Sequence, residues 1–512
     1  MQTFKDNFTE LDKVGKFIGP LCICLNPFGG LLCAGFLFLI FIPFTGKPIE
    51  LGMCCWSVYL VCMSISIERE WFTISSLPPL FVITLAGSIR WGLGGILILA
   101  GGSFPKESFY FVFSQHLLSS QFLWAIFNTL IVVIFAFSKP FNRSKQNMLE
   151  GNNLSNFIFL RNFALMAGVF SFLYILTGFL FGTTDRSSDI YSYWVSRLWR
   201  ADTFFVAFLS IRYAFYFVVP LVYAKSKSNS LKIILILLVL VSILLSLFSG
   251  GRGLVLYPIL FLIFGLWLTP LSAKFFRVAV LLFIILGLVL IPAIEIFRSA
   301  PDFQASSRFD LVGRAQLFSN SLSNYQHTSF VSRIQRTGAQ IYACSDPYLF
   351  AEPALSSPRA GFIRFDRVLQ VWMPTLLYPD KKELRDSHII ADEIQGSDRV
   401  DSETKKYSYF PCVSYVADLY WRGGWQWVWI GSLIFAVFYR LASQLWYVYG
   451  SPVNIIRFIV WIYPITFLVV IPASSIGETA WMWLWNLPKY IILGLIISLV
   501  NFIWRRLYSV SP

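Results

Sequence analysis

The sequence predicts an all-α, polytopic membrane protein with about twelve transmembrane helices. Of its 512 residues, 56% are hydrophobic and only 13% are charged, whereas soluble domains are roughly a quarter charged. Apolar runs of about 20 residues, the length needed to cross a bilayer, recur along the whole chain. The third observation is one long polar stretch, residues 298–424, which divides nine predicted spans from three.

The predicted spans follow one another through short loops, except around the polar stretch. The first nine cover about residues 20–44, 50–66, 77–101, 120–137, 157–180, 203–223, 231–249, 253–270 and 275–297. The last three cover about residues 425–447, 454–472 and 487–504. The chain therefore divides into a membrane region (1–297), a partly helical loop region (298–424) and a second membrane region (425–512).

Basic residues predict on which side of the membrane each loop lies. With twelve spans and both termini in the cytoplasm, every basic cluster of a short loop falls on the cytoplasmic face, as the positive-inside rule requires. The clusters are Lys139, Arg143 and Lys145; Lys225, Lys227 and Lys232; and Lys274 and Arg277, while Arg440 and Arg457 flank a fourth loop and Arg505 and Arg506 follow the last span. The loop region is then extracytoplasmic, and the net charge of +14 needs no nucleic-acid partner.

The loop region begins with arginine as its only basic residue type. Residues 298–367 hold eight arginines and no lysine: Arg298, Arg308, Arg314, Arg333, Arg336, Arg359, Arg364 and Arg367. A guanidinium group binds phosphate through two parallel hydrogen bonds, whereas an ammonium group acts as a point charge. The stretch therefore favours a site for a phosphorylated, lipid-linked substrate. The alternative is a solvated loop whose arginines pair with its acids, Asp302, Asp310, Asp346, Glu352 and Asp366.

Two further arginines lie in or beside predicted spans. Arg90 falls inside the third run, where a charge usually faces a cavity or a partner and marks function; the alternative is a position near a helix end. Arg252 follows Gly250 and Gly251 in a turn on the outer side. These glycines would let a ligand approach the backbone closely, although they also suit a simple interhelical turn.

Candidates for proton transfer are few in the predicted outer loops. His388 is favoured because histidine titrates near neutral pH and because Arg385 and Asp386 lie close to it in the sequence. On a helix, Arg385 and His388 would share one face. Glu478 lies in a tryptophan-rich loop that suits either sugar binding or the membrane interface. The outer loops contain no Asp-x-Asp motif, so we expect chemistry without a metal or other cofactor.

Three motifs resemble those of a known family. VWMPTLLYPDKKELRDSHIIADE, at residues 371–393, is similar to the proline, Pro-Asp-Lys and acidic segment of the major outer loop in Wzy-type oligosaccharide repeat-unit polymerases. ADLYWRGGWQWVWIG, at residues 417–431, resembles the aromatic-Arg-x-Gly-Trp start of that family's following helix. FSGGRG, at residues 248–253, resembles its Ser-Gly-x-Arg-Gly turn. The resemblance covers most of residues 240–450.

The resemblance implies a GT-C-like polymerase or ligase architecture in the bacterial inner (plasma) membrane. It implies a glycosyltransferase that moves a growing glycan from undecaprenyl pyrophosphate to a hydroxyl of the next lipid-linked repeat unit, on the periplasmic face. The partners that it suggests are an undecaprenyl-pyrophosphate-linked oligosaccharide, membrane lipid and a chain-length regulator protein. The products would be O-antigen or exopolysaccharide chains.

Arginines would then stabilise the departing pyrophosphate, and one acidic or imidazole group would deprotonate the acceptor hydroxyl. The arginines are Arg90, Arg252, Arg298, Arg359, Arg364, Arg367, Arg385 and Arg422. The candidate bases are His388, Asp386 and Glu478. Two alternatives remain. One is an O-antigen ligase, which moves the glycan to the lipid A core. The other is a transporter or flippase, although nine spans followed by three do not suggest two related halves.

Overall fold

The computed structural model describes most of the predicted membrane region and parts of the loop region. The described residues are 26–68, 78–100, 115–138, 154–180, 203–267, 306–307, 309–327, 346–350 and 414–449, with isolated residues between 269 and 342, the pairs 400–401 and 406–407, and residues 499, 502 and 503. All structural statements below concern these residues.

The described residues are almost entirely helical, as the sequence predicts. They form ten α-helices, numbered α1 to α10: Pro27–Phe41, Pro48–Ile67, Pro79–Ala100, Leu117–Phe137, Leu154–Leu180, Thr203–Lys225, Asn229–Phe248, Arg252–Trp267, Leu311–His327 and Tyr415–Tyr449. Short 3₁₀ helices occupy Ile42–Phe44 and Asp346–Phe350. Val400–Asp401 pairs antiparallel with Lys406–Tyr407.

Six segments of the described chain are long and apolar enough to cross a membrane. They are Pro27–Phe44, Pro48–Ile67, Pro79–Ala100, Leu117–Phe137, Leu160–Leu180 and Asn229–Phe248. Each overlaps a predicted span, and α6, α8 and α10 overlap three more. The chain is therefore a helical membrane protein. The total of twelve spans stays a prediction, because the span predicted at 454–472 lies outside the described residues.

The outward faces of several helices are strongly apolar. Phe36 on α1 is 65% exposed, Leu237 on α7 is 53% exposed and Ile434 on α10 is 60% exposed. Contiguous apolar surface of this kind is unfavourable in water, whereas lipid chains cover it without penalty. The surface thus agrees with the membrane location that the helix composition indicates.

Local sequence signals set several helix starts. Pro27, Pro48 and Pro79 are the first residues of α1, α2 and α3, where the missing N–H group has no intrahelical acceptor to lose. The side chain of Asn26 accepts a hydrogen bond from the N–H of Gly29 at 2.6 Å and so caps α1. These positions explain why apolar runs in the sequence predict helix bounds to within a few residues.

The described helices pack in two groups. In the first, α2 contacts α1, α3 and α4, and α10 lies along α4. In the second, α6 packs between α5 and α8, and α7 lies against α5. A continuous set of buried apolar side chains includes members of both groups. The two candidate sites below lie in different groups.

Helix α10 consists of two segments joined at Gly423 and Gly424. Gly424 has a φ of 69°, in the left-handed region that glycine adopts without steric cost. The two segments pack side by side. The hydroxyl of Tyr415 donates to the carbonyl of Gly431 at 3.3 Å, and the Tyr415 and Phe435 rings lie 5.2 Å apart. The helix predicted from residue 425 therefore begins at this kink, and a short helix folds back beside it.

Candidate functional site

Arg90 lies near the middle of α3, within a π-helical segment that runs from Ser88 to Leu93. Arg90 therefore does not lie near a helix end, which was the alternative interpretation of its position in the sequence. π-Helical turns are rare and occur often at functional sites. The side chain of Arg90 is partly buried, and its Nη1 atom is buried with no hydrogen-bond partner in the described part of the chain. A charged nitrogen without an acceptor is unusual inside a protein.

Parts of the loop region pack directly against this stretch of α3. Gly94 and Gly338 approach so closely that a Cβ added at Gly338 would lie 2.8 Å from the carbonyl oxygen of Gly94. A Cβ added at Gly94 would lie 3.0 Å from the backbone nitrogen of Tyr342. The Tyr342 hydroxyl hydrogen-bonds that of Ser120 on α4. The two glycines thus allow the loop to lie against α3 and α4.

The carboxylate of Asp346 joins three segments of the chain. It is fully buried; its Oδ2 accepts from the indole Nε1 of Trp124 at 3.0 Å, and its Oδ1 accepts from the backbone N–H of Ser414 at 2.9 Å. Burial raises the pKa of Asp346 to about 6, while hydrogen bonds from the side chain and backbone of Ser414 and from Trp124, together with the positive charge of Arg90, oppose that rise. Asp346 therefore fixes the 3₁₀ helix of the loop between α4 and the start of α10, within the electrostatic field of Arg90.

These contacts place irregular chain inside the helix bundle. Trp124 lies seven residues into α4, or about 10 Å from the end predicted to face outward, at a rise of about 1.5 Å per residue. Non-helical backbone at such depth is tolerated where other protein segments bury it. Asp346 and Ser414 belong to the loop region that the sequence predicts to lie outside the membrane. The segments around these two residues pack into the helix bundle, and the chain continues from Ser414 into the first segment of α10.

Arg422 closes the first segment of α10 and is held by an acid one turn earlier. Its Nε lies 3.0 Å from Oδ1 of Asp418; the two side chains are 3% and 0% exposed. The guanidinium carbon lies 5.5 Å from the centroid of the Trp421 ring. The segment from Ser414 to Arg422 spans about 12 Å along its axis, so Arg422 lies nearer than Asp346 to the predicted outer surface.

The turn before Arg252 has the geometry that the sequence suggests. Gly250 has a φ of 71° and ends α7, and Arg252 begins α8. Arg314, one of the eight loop arginines, is buried and donates from Nη1 to the carbonyl of Phe248 at 3.0 Å and from Nη2 to that of Ser306 at 3.3 Å. This loop arginine therefore binds the C-terminal end of a membrane helix, where positive charge is favourable.

Most of the predicted site residues lie outside the described part of the chain. These are the candidate bases His388, Asp386 and Glu478 and the arginines Arg298, Arg359, Arg364, Arg367 and Arg385. The backbone of Arg252 is described, but its side chain is not. Among the predicted residues, the structure describes the side chains of Arg90 and Arg422. Both belong to the first group of helices (α1 to α4 and α10), and the part of it that holds them is called the α3–α4–α10 group below.

Sequence reasoning missed the residues that organise this end of the bundle. Asp346 was noted only as one possible ion-pair partner, and Trp124 and Asp418 were not singled out. A signal was present in α4, where Gln121 and Asn128 interrupt an otherwise apolar run and are both buried. Polar residues on one face of a membrane helix indicate a face that contacts protein or a cavity.

Gln121 and Trp91 extend the set of polar groups near Arg90. The amide nitrogen of Gln121 donates to the Cys54 thiol at 2.9 Å, and that thiol lies 3.8 Å from the Trp91 carbonyl oxygen. Among the described residues, neither the Gln121 Oε1 atom nor the Trp91 Nε1 atom has a hydrogen-bond partner. This end of the bundle therefore combines buried polar groups, the positive charge of Arg90 and irregular chain.

Comparison with known proteins adds no assignment, since no protein-family model, no curated protein and no solved structure matches the chain. The described residues contain no cluster of three or more His, Cys, Asp or Glu side chains that could hold a metal ion. The expected absence of a metal requirement stays a prediction from the sequence.

Proposed function

We propose that this protein is a membrane glycosyltransferase that polymerises undecaprenyl-pyrophosphate-linked oligosaccharide repeat units, with arginines binding the pyrophosphate. The observation that supports it best is Arg90, a mid-helix arginine whose buried Nη1 has no hydrogen-bond partner among the described residues. It lies beside a loop that enters the bundle. Such a position suits an anion carried on a lipid.

The proposed reaction requires negative charge to be stabilised as it develops. The acceptor hydroxyl oxygen forms a bond to the anomeric carbon of the donor sugar, and the bond from that carbon to the pyrophosphate oxygen breaks. The hydroxyl proton passes to a base, and the electron pair leaves with the pyrophosphate. A fixed donor placed at such a leaving group lowers the barrier by roughly 3 kcal/mol, and the effect is larger where water is excluded.

The described residues support different roles within this proposal. Arg90 is available to bind the pyrophosphate, whereas Arg422 is oriented by Asp418 and stands closer to the predicted outer surface. Asp346 is held by hydrogen bonds from Trp124 and Ser414, so we regard it as a positioning residue for the loop. Arg252, Arg298, Arg359, Arg364, Arg367 and Arg385 remain proposed phosphate ligands. His388, Asp386 and Glu478 remain proposed bases.

Chain growth in a reconstituted system tests this proposal. The purified protein is placed in liposomes with a defined undecaprenyl-pyrophosphate-linked repeat unit, and the products are resolved by mass. We expect the wild type to produce a ladder of longer chains. Arg90→Lys should slow chain growth by about 100-fold, because lysine keeps the charge but loses the planar donor geometry.

The matched control is Arg161→Lys on α5. Arg161 is also a partly buried helical arginine, and its Nε and Nη2 atoms each donate to the side-chain oxygen of Asn162 at 3.2 Å. This variant should keep the wild-type rate. Equal rates for Arg90→Lys and the wild type, at equal thermal stability, would remove Arg90 from the site. The same assay applies to Arg252→Lys, Arg385→Lys and His388→Ala.

The two alternatives give different products in this assay. An O-antigen ligase would transfer the glycan only when lipid A core is supplied as acceptor. A flippase or transporter would move the lipid-linked sugar across the vesicle membrane without making longer chains. Either result in place of a ladder would overturn the proposed polymerase activity.

A further inference from the structure

Arg212, like Arg90, is an arginine in the interior of a predicted span. It lies nine residues into α6, about 14 Å from the start of that helix, and it is completely buried. A side chain of this length does not reach the water interface from such a depth, so the charge must be compensated locally. A charge inside a membrane span usually faces a cavity or a partner, and this rule applies to Arg212 as it does to Arg90.

Within the described chain, only part of this guanidinium group is bound. Nη2 donates to the hydroxyl of Tyr213 at 3.1 Å, and the guanidinium carbon lies 4.9 Å from the centroid of the same ring. In the described part of the chain, Nε and Nη1 are buried without a hydrogen-bond partner. The titratable groups that face Arg212 there are the phenols of Tyr174, Tyr213 and Tyr216, with no carboxylate among them.

One tyrosine hydroxyl lies near this arginine and faces two serine hydroxyls. Tyr216 follows Arg212 by one turn and shares its face of α6. Its hydroxyl faces Ser171 of α5 and Ser242 of α7, yet none of the three makes a hydrogen bond of normal geometry within the described residues. Gly168, one turn before Ser171, allows the approach of α5, since a Cβ added there would lie 2.7 Å from Cε2 of Phe215.

A charged guanidinium group and hydroxyl groups without normal hydrogen bonds are unfavourable in the interior of a helix bundle. Buried polar groups are almost always hydrogen-bonded, and an uncompensated buried charge is far more costly than a neutral group. The contact of Arg212 with the Tyr213 ring offsets only a small part of that cost. Hydroxyl groups donate as well as accept. Two guanidinium nitrogens, the nearby Tyr216 hydroxyl and the two serine hydroxyls that face it therefore form a set of donors next to one positive charge.

We propose that Arg212, Tyr216, Ser171 and Ser242 form an anion-binding site inside the helix bundle, with a phosphate or pyrophosphate group as its ligand. The donors come from three helices, which suits a tetrahedral anion with several oxygens better than a planar carboxylate with two. The phosphate is carried either by a polyprenyl lipid or by a free anion. The site does not depend on the proposed polymerase activity, because Arg212 belongs to the α5–α8 group and Arg90 to the α3–α4–α10 group.

Thermal unfolding in nanodiscs of neutral phosphatidylcholine tests this site. Inorganic pyrophosphate is titrated against a chloride buffer of matched ionic strength, and a second series carries polyprenyl phosphate in the disc. We expect the melting temperature of the wild type to rise in at least one series. A rise with pyrophosphate identifies a free anion as a sufficient ligand, whereas a rise with the polyprenyl phosphate alone identifies a lipid-borne one.

Arg212→Met should show a smaller rise in melting temperature than the wild type with the effective ligand, because only binding at the separate Arg90 site remains. Without ligand it should melt at or above the wild-type temperature, because it removes an uncompensated buried charge and keeps the apolar volume. The matched control, Arg161→Met on the neighbouring helix α5, should keep the wild-type response. An equal ligand response in Arg212→Met and the wild type would overturn the proposal, as would no response of the wild type to either ligand.

Tyr216→Phe provides a second variant if Arg212→Met does not fold. It removes one hydroxyl and leaves the ring in place, so the apparent affinity should fall by about three- to tenfold. An unchanged affinity would exclude the hydroxyl from the site. Because these experiments measure binding and not chain growth, loss of the proposed polymerase activity would leave their result unaffected.

Discussion

Two buried carboxylates lie towards opposite ends of the α3–α4–α10 group, and their surroundings differ. Glu68, just after α2, accepts hydrogen bonds from the backbone N–H groups of Leu80 at 2.9 Å and Phe81 at 2.7 Å. Both donors belong to the first turn of α3. Asp346 instead accepts from one backbone N–H and one indole, which belong to two different elements.

This difference in donors indicates that Glu68 has a structural role, whereas Asp346 organises a candidate site. Glu68 satisfies N–H groups that a helix start always leaves without partners, and the helix dipole favours its charge. The Tyr439 hydroxyl, which donates to the Pro79 carbonyl at 2.7 Å, ties the same helix end to α10. Asp346 holds irregular chain beside Arg90. A fully bound carboxylate thus marks a helix end in one case and supports a candidate site in the other.

The largest effect is expected from Asp346→Ala. This substitution would leave the buried N–H groups of Trp124 and Ser414 without an acceptor, and each such group costs about 1–3 kcal/mol. We expect the free energy of unfolding to fall by about 2–5 kcal/mol, measured by denaturation in detergent. Chain growth should also be lost, because the loop is no longer fixed beside Arg90.

Asp310→Ala is the control for that variant. Asp310 accepts from the N–H of Gly313 at 2.8 Å at the exposed start of α9. Loss of such a cap costs about 1 kcal/mol. Equal losses in the two variants would show that Asp346 contributes no more than an exposed cap and would weaken the comparison with Glu68.

The pH dependence of stability should be the next largest effect. Burial raises the pKa of Glu68 to about 8 and that of Asp346 to about 6. Between its ordinary pKa and these values, each group is protonated more fully in the folded state, so stability falls as pH rises. Below about pH 6 both groups contribute to the change of the free energy of unfolding with pH. Between about pH 6 and 8 only Glu68 contributes.

Unfolding measured from pH 5 to 8 separates the two carboxylates. Above pH 6 the free energy of unfolding of the wild type should fall by about 1 kcal/mol per pH unit, somewhat below the limit for one buried group, and between pH 5 and 6 it should fall by up to about twice as much because both groups titrate there. Glu68→Gln should abolish the slope above pH 6, whereas Glu50→Gln, which changes an acid ion-paired with Lys47 at 3.8 Å, should retain it. A slope above pH 6 that survives in Glu68→Gln would contradict the assignment.

The smallest effect concerns the kink that lets the first segment of α10 fold back. Gly424→Ala places a side chain at a φ of 69° and should destabilise the protein by about 1–2 kcal/mol. Gly35→Ala on α1 is the control, because an added Cβ meets no atom within 4 Å there, and it should be neutral or stabilising by up to about 1 kcal/mol. Similar unfolding temperatures for both variants would show that the kink does not require glycine.

The sequence predicts the helices well because membrane helices depend on local properties. Apolar length and proline position locate α2 at Pro48–Ile67, where the hydropathy predicts 50–66. The Arg-Gly-Gly sequence likewise indicates the break at which the second segment of α10 begins. The sequence also shows that Arg212 lies inside the span predicted at 203–223. It does not show which residues of α5 and α7 pack near it.

The sites themselves depend on contacts between distant parts of the chain. The hydrogen bond from Trp124 to Asp346 joins residues 222 positions apart, and that from Ser414 to Asp346 joins residues 68 positions apart. Hydropathy reports whether a segment prefers lipid to water. Hydropathy does not show which polar groups of two distant segments form hydrogen bonds with each other. The sequence alone therefore determines the helical membrane fold and its charged positions, whereas tertiary packing decides that Asp346 is bound and that Arg90 and Arg212 retain donors for an anion.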